Sequence, residues 1–254
     1  NNPAFQNPWN SGVVPGRSWP YLFSSLEPQP ITRVALDGVL SMRVLGVSVY
    51  SFIDDSLYIE LAGYSPIDKD HLGDLGLYEK TDHQLDGTGF YARLAKEYTL
   101  QQASFTLGAM YFDADIEAPL GRPAYSVKDV AIDAFYQRER GLHNFTVGLN
   151  LLREDIETER GLAGGFATDV NVELDRYSFF ATYLYDKTYG IAFGHKSITG
   201  SRDARYFQTA NGDPDSKSYR AEVFWLPISR RPFKWNRWAR MRLGLQYSFF
   251  TSFD

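Results

Sequence analysis

The chain has 254 residues, a size suited to one large domain, and a net charge of −5 with acidic and basic residues interspersed along it. No basic stripe is present, so nucleic-acid binding lacks its electrostatic footprint. The absence of cysteine excludes disulfides, thiolate metal sites and C-x-x-C-H haem attachment, and no run of ~18 apolar residues offers a transmembrane helix.

Residues 1–30 are rich in Pro, Asn, Ser and Trp and show neither helical nor strand period. Proline interrupts both kinds of element, so this stretch reads as an extended loop segment. No signal peptide is visible. The chain opens on Asn1-Asn2-Pro3 and stops at Phe253-Asp254, and it reads as a piece of a longer protein.

From about residue 33 the texture changes to alternation with period two. Strands are expected near 34–42, 44–53, 57–64, 89–98, 103–112, 129–138, 144–152, 170–186, 189–196, 217–226 and 239–249, about eleven in all. The segment 144–152 is the clearest. Phe145, Val147, Leu149 and Leu151 share one face, and Asn144, Thr146, Gly148 and Asn150 the other. In 239–249, Ala239, Met241, Leu243, Leu245, Tyr247 and Phe249 oppose Arg240, Arg242, Gly244, Gln246 and Ser248. Short polar breaks at Asp54-Asp55, Gln101-Gln102, Gly141-Leu142 and Asp186-Lys187-Thr188 predict tight hairpins. Longer links fall at 65–87, 117–127, 157–168, 198–216 and 227–236. Tight turns alternating with long loops put short connections on one rim and long ones on the other.

Alternation alone does not say which face is outside, because a soluble barrel also alternates with its oily side inward. The polar face of the best strands is Gly, Ser, Thr, Asn and Gln with isolated charges, which suits a crowded or wet lumen. The apolar face is uncharged at mid-strand, where Lys or Arg would cost ~2–4 kcal/mol in a bilayer. Tyr177, Tyr183, Tyr185, Tyr189, Tyr219, Trp225, Trp235 and Trp238 gather near strand ends, as an interfacial aromatic girdle would. The expected fold is therefore all-β: a transmembrane antiparallel up-and-down barrel over 31–254, incomplete at both ends. Its full count is expected at roughly 14–18 strands, its location in the bacterial outer membrane and its first partner membrane lipid. A soluble β-protein with these aromatics in its core is the competing reading.

No catalytic constellation emerges, and the chain is not expected to be an enzyme. His71, His83, His143 and His195 are scattered without metal-ligand spacing, and no G-x-S-x-G elbow occurs. The loop Asn211-Gly212-Asp213-Pro214-Asp215-Ser216 lacks the spacing of an EF-hand and reads as a solvated turn. No cofactor or metal is expected. The functional candidates are the inward polar positions Lys196, Arg220, Glu222, Arg240, Arg242 and Gln246. Charges in a lumen tune which solutes pass; they serve equally as a salt-bridge ladder bracing a filled barrel.

Several stretches also resemble a known family. Asn1-Asn2-Pro3-Ala4-Phe5-Gln6-Asn7-Pro8-Trp9-Asn10 resembles an "NNP…D.WN" element, and Asp55-Ser56-Leu57-Tyr58-Ile59-Glu60-Leu61-Ala62-Gly63-Tyr64 resembles "ND.LY.E..GY". Asp129-Val130-Ala131-Ile132-Asp133-Ala134-Phe135-Tyr136-Gln137 resembles "D.G.DAQYQ", and Tyr185-Asp186-Lys187-Thr188-Tyr189-Gly190 resembles "YYDRTYG". Asp213-Pro214-Asp215-Ser216 with Arg220-Ala221-Glu222 resembles "G.PDS.G...EL.Y.PW", and Leu243-Gly244-Leu245-Gln246-Tyr247 resembles "RL.LQYT.Y..F". In this order they resemble uncharacterised proteobacterial outer-membrane porin-like β-barrels, which often carry the label "cytochrome c" from their electron-transfer context. The resemblance implies strands before Asn1 and after Asp254. It also implies passive passage, or a barrel housing or docking an envelope protein or cytochrome partner. With no cysteine, haem chemistry is carried onto no residue.

Overall fold

A computed structural model describes residues 44–74, 83–209, 211–227 and 241–252, together with Thr32, Val34 and Ala35. The expected loop 1–30, most of the expected strand 34–42, and Trp235, Trp238 and Arg240 lie outside the described residues.

The strands are β1 (Val44–Ile53), β2 (Leu57–Pro66), β3 (Gln84–Leu85), β4 (Gly89–Leu100), β5 (Ala103–Glu117) and β6 (Tyr125–Arg140), then β7 (His143–Glu157), β8 (Asn171–Tyr185), β9 (Tyr189–Gly200), β10 (Ser216–Trp225) and β11 (Leu243–Ser252). Among the described residues three short helices lie between strands: α1 (Lys69–Asp74), α2 (Glu159–Ala163) and α3 (Ala204–Phe207). None of the described helices is long and apolar enough to cross a membrane.

All strands belong to one antiparallel sheet in the order β1-β2-β4-β5-β6-β7-β8-β9-β10-β11, with β3 paired on β5. Every long strand pairs with the next long strand in sequence, because closure entropy grows only slowly with loop length and local pairing costs least. The expected barrel is not closed among the described residues: β1 and β11 do not pair. A second departure lies at the start. Val34 is outside any regular element and Ala35 is in a 3-10 turn. Their apolar side chains are buried by packing rather than by a ladder. The two-residue β3 was too short to show a period.

The hairpin turns at 54–56, 101–102, 141–142 and 186–188 share one rim, and the longer connections from β2 to β4, β5 to β6, β7 to β8 and β9 to β10 leave from the other. Asp54 and Asp55 sit at φ 48°, and Asp186 and Lys187 at 54° and 52°. Asp tolerates this left-handed backbone through local hydrogen bonding. Following the ladders, Ile53 stands level with Leu57, Lys96, Leu107, Ala134, Leu149 and Phe179. The first turn tip, Asp55, lies two residues beyond that line and the fourth, Lys187, eight residues beyond it. The turn rim thus shifts about one residue per strand, or ~3.3 Å for each ~4.8 Å of sheet width, a strand tilt of roughly 35°.

One face of the sheet is buried and the other exposed. Along β7, Thr146, Gly148, Asn150, Leu152, Glu154 and Ile156 are buried, while Phe145, Leu151 and Arg153 are exposed. A single apolar cluster joins Tyr64 of β2, Tyr91 of β4, Phe112 and Ile116 of β5, Val127 of β6, Ile156 of β7, Leu174 of β8 and Ile198 of β9 with Phe207 of α3. The strand residues sit on the same face of successive strands and form a continuous apolar patch on which Phe207 of α3 packs. The cluster lies toward the long-loop rim, and a smaller one of Leu184, Ala192, Phe224 and Leu226 lies toward the turns.

Candidate functional site: the inner polar face

Between the two apolar clusters the inner face carries charge. Glu60 of β2 stands in register with Arg93 of β4 and accepts the Tyr58 hydroxyl at 2.9 Å. Arg93 reaches past β5 to Asp133 of β6 through a bidentate pair, Nη1–Oδ2 at 2.7 Å and Nη2–Oδ1 at 2.8 Å. The intervening residue is Gly108, where a Cβ would stand 2.6 Å from both Arg93 Nη2 and Asp133 Oδ2. Glycine is required here because the pair occupies the space a side chain would fill. Asp133 stands in register with Asn150 of β7, whose side-chain oxygen accepts from Arg176 of β8. A polar ladder therefore runs across the inner face from β2 to β8. Such groups are almost never fully buried unless paired.

A second group lies at β9–β11. Glu222 forms an ion pair with Arg242 at 2.6 Å, and Arg242 also lies over the Phe224 ring, 4.4 Å from its centroid. Gln246 is the register partner of Glu222, and Gly244 leaves room for the Glu222 carboxylate. Arg220 and Lys196 occupy the same parity on β10 and β9 and are partly exposed. Lys196, Arg220, Glu222, Arg242 and Gln246 thus share the inner face, and Glu222 and Arg242 are in direct contact. Acidic and basic groups both line this face, among them Glu60, Asp129, Asp133, Glu154 and Glu222 with Arg93, Arg176, Lys196, Arg220 and Arg242. Sequence reasoning missed Glu60, Arg93, Asp129, Asp133, Asn150, Glu154 and Arg176. Their parity, opposite to the apolar residues of their own strands, was the available signal.

The outer face is the reverse. Val47 and Leu245 are 74% and 75% exposed, and Leu61, Leu94, Val130, Ile132, Ile191, Phe193 and Val223 are exposed with them. Tyr185, Tyr189 and Trp225 stand side by side on β8, β9 and β10 near the turn rim. Tyr177 and Tyr219 lie nearer the long-loop rim and flank His195, with ring centroids 5.5 and 4.3 Å from it. The His195 ring nitrogen bonds the Ser218 carbonyl, and that of His143 the Tyr183 hydroxyl. Beyond the apolar band toward the long loops, Asp113, Lys128, Asp155 and Glu173 form one register row of outward charges.

At the long-loop rim Asp203 ties two loops together. One oxygen accepts from the Thr168 and Asp169 amides at 2.7 and 3.2 Å, the other from Arg205 and Tyr206 at 3.0 and 2.9 Å. Burial would raise its carboxyl, but these donors outweigh burial and hold it below the ordinary value. The Asn211–Ser216 loop is held by protein partners: Arg202 pairs with Asp213 at 3.0 Å, and Ser252 bonds the Asp215 carbonyl. Among the described residues no group of three or more His, Asp or Glu is placed to hold a metal.

No family model matches this sequence, and neither a curated protein nor a solved structure is significantly similar to it.

Proposed function

We propose that this chain is the wall of an outer-membrane β-barrel with a filled interior, serving as a structural or docking element rather than a wide pore. The carrying observation is the outer face: its exposed mid-strand positions are apolar, while charged pairs lie between apolar clusters on the buried face. Water drives the opposite arrangement, whereas a bilayer favours this one.

Three further features support the reading. On β6, Lys128 and Arg138 bracket the uncharged outer run Val130, Ile132, Ala134 and Tyr136. That span is ~33 Å of strand, or about 27 Å of height at ~35° tilt, close to the ~25 Å apolar band of such barrels. The tilt lies in the range that barrel closure demands. The Tyr185–Tyr189–Trp225 row stands where a headgroup boundary would fall.

The bonding of inner side chains to one another, as in Arg93–Asp133 and Arg176–Asn150, argues for a braced interior rather than a wide channel. It also speaks against a sheath threaded by a multihaem partner. Passive passage stands as the second reading, favoured by the partly exposed Lys196 and Arg220 on the inner face. The resemblance to outer-membrane porin-like proteins is compatible with both.

The test is reconstitution of the full chain into phosphatidylcholine vesicles. The protein should float with the lipid after an alkaline wash and show no large conductance steps in planar bilayers. A monodisperse, detergent-free soluble form would overturn the membrane assignment, and steps of porin size would overturn the filled interior.

A further inference from the structure

The inner face is uneven in charge. On β8, β9, β10 and β11 its described charged residues are Arg176, Lys196, Arg220 and Glu222. Glu222 is in contact with Arg242, so these strands hold more positive charge than their one inner carboxylate offsets. Lys196 stands in register with Ser178 of β8 and Ser218 of β10. Arg220 stands in register with Gly194 of β9 and Ser248 of β11. Lys196 and Arg220 are therefore diagonal neighbours about 7–8 Å apart, a span that long side chains cross. Gly194 carries no side chain, so the floor beside the two cations stays low. Both cations are partly exposed, whereas Arg93 and Arg176 are buried. Ser248 accepts from Gln246 Nε2 at 3.0 Å, and its own hydrogen is directed elsewhere.

We propose that Lys196 and Arg220, with the hydroxyls of Ser178, Ser218 and Ser248, form an oxyanion site that binds the phosphate group of a small solute. A phosphate presents several acceptor oxygens in a tetrahedron. It can engage the Arg220 fork, the Lys196 ammonium and serine donors from neighbouring strands at once. Chloride offers a single centre and a carboxylate two coplanar oxygens, so each matches fewer of these donors. The inner carboxylate on these strands, Glu222, lies one row nearer the turns and is held by Arg242. The site uses four adjacent strands as they stand. It needs neither ring closure nor a passage, and it holds whether or not the outer face meets lipid.

The test is calorimetric titration of inorganic phosphate into the full chain in detergent, at neutral pH and low ionic strength. The parent should bind phosphate, with sulfate competing strongly and chloride weakly. Arg220→Gln and Lys196→Gln should each weaken binding by roughly tenfold to a hundredfold, the scale of a hydrogen bond to a charged group. Arg220→Lys keeps the charge but loses the fork, and should fall between the parent and Arg220→Gln. Lys217→Gln removes the same charge from the exposed face of β10 and should bind as the parent does. Strand content by circular dichroism accompanies each titration, and if one variant loses its strands the other decides. A parent that does not bind phosphate overturns the site. So does an equal loss in Lys217→Gln and Arg220→Gln, which marks diffuse charge attraction.

Discussion

Arg93→Met leaves the Asp133 carboxylate in a site where the two side chains are 1% and 7% exposed. A buried ion pair broken on one side costs about 3–5 kcal/mol, because the remaining charge loses its partner without regaining water. Replacing both members by apolar residues removes that penalty. Arg93→Met with Asp133→Leu should therefore lie within about 1 kcal/mol of the parent, or be more stable, as buried pairs often are when exchanged for apolar packing. Glu60 faces Arg93 across the β2–β4 ladder but keeps the Tyr58 hydroxyl in the double variant, so it limits the gain without reversing the order. Gly108→Ala attacks the same pair sterically and should cost ~1–3 kcal/mol, the usual range for overpacking. The assay is equilibrium urea unfolding in lipid vesicles followed by tryptophan fluorescence. The reasoning is refuted if Arg93→Met costs under ~1 kcal/mol, or if the double variant costs the sum of the singles.

Asp203→Ala removes the acceptor for four backbone amides. It should leave the strands intact while raising hydrogen exchange in the 158–170 and 201–215 loops. Because the Asp203 carboxyl is held below its ordinary value, the tie is fully present above pH ~4. It is lost as the pH falls through the lowered value, so limited proteolysis of these loops with pepsin should rise steeply there. On the outer face, Ile132→Arg should cost ~2–4 kcal/mol in vesicles, while Lys128→Ala, in the outward charge row, should change stability by under ~0.5 kcal/mol. Inside, Gly148→Ala should cost ~1–3 kcal/mol in the same unfolding assay, because its Cβ would overlap the Phe180 ring.

The hairpins were legible in the sequence because period two is a local signal. The turns at Asp54-Asp55, Gln101-Gln102, Gly141-Leu142 and Asp186-Lys187-Thr188 fall where the chain reverses. Strand extents were less legible. β6 runs Tyr125–Arg140 against an expected 129–138, since charged Lys128, Glu139 and Arg140 continue the ladder but carry no apolar alternation. Val34 and Ala35 read as strand because apolar residues look alike whether they join a ladder or pack against one. The Glu222–Arg242 contact was legible as two opposite charges on neighbouring strands of one parity. The Arg93–Asp133 pair was not, because it depends on the β4–β5–β6 register and on Gly108 being bare.

The central claim is that the apolar face meets lipid and the charged face does not. Spin labels placed singly at Val130→Cys, Ile132→Cys and Leu151→Cys, against Ala131→Cys and Asn150→Cys, test it in vesicles. The first three should be relaxed strongly by oxygen, which concentrates in hydrocarbon, and weakly by a water-soluble nickel chelate; the last two should lack this lipid signature. Chelate access at 130, 132 and 151, with oxygen access no greater than at 131 and 150, would contradict the account.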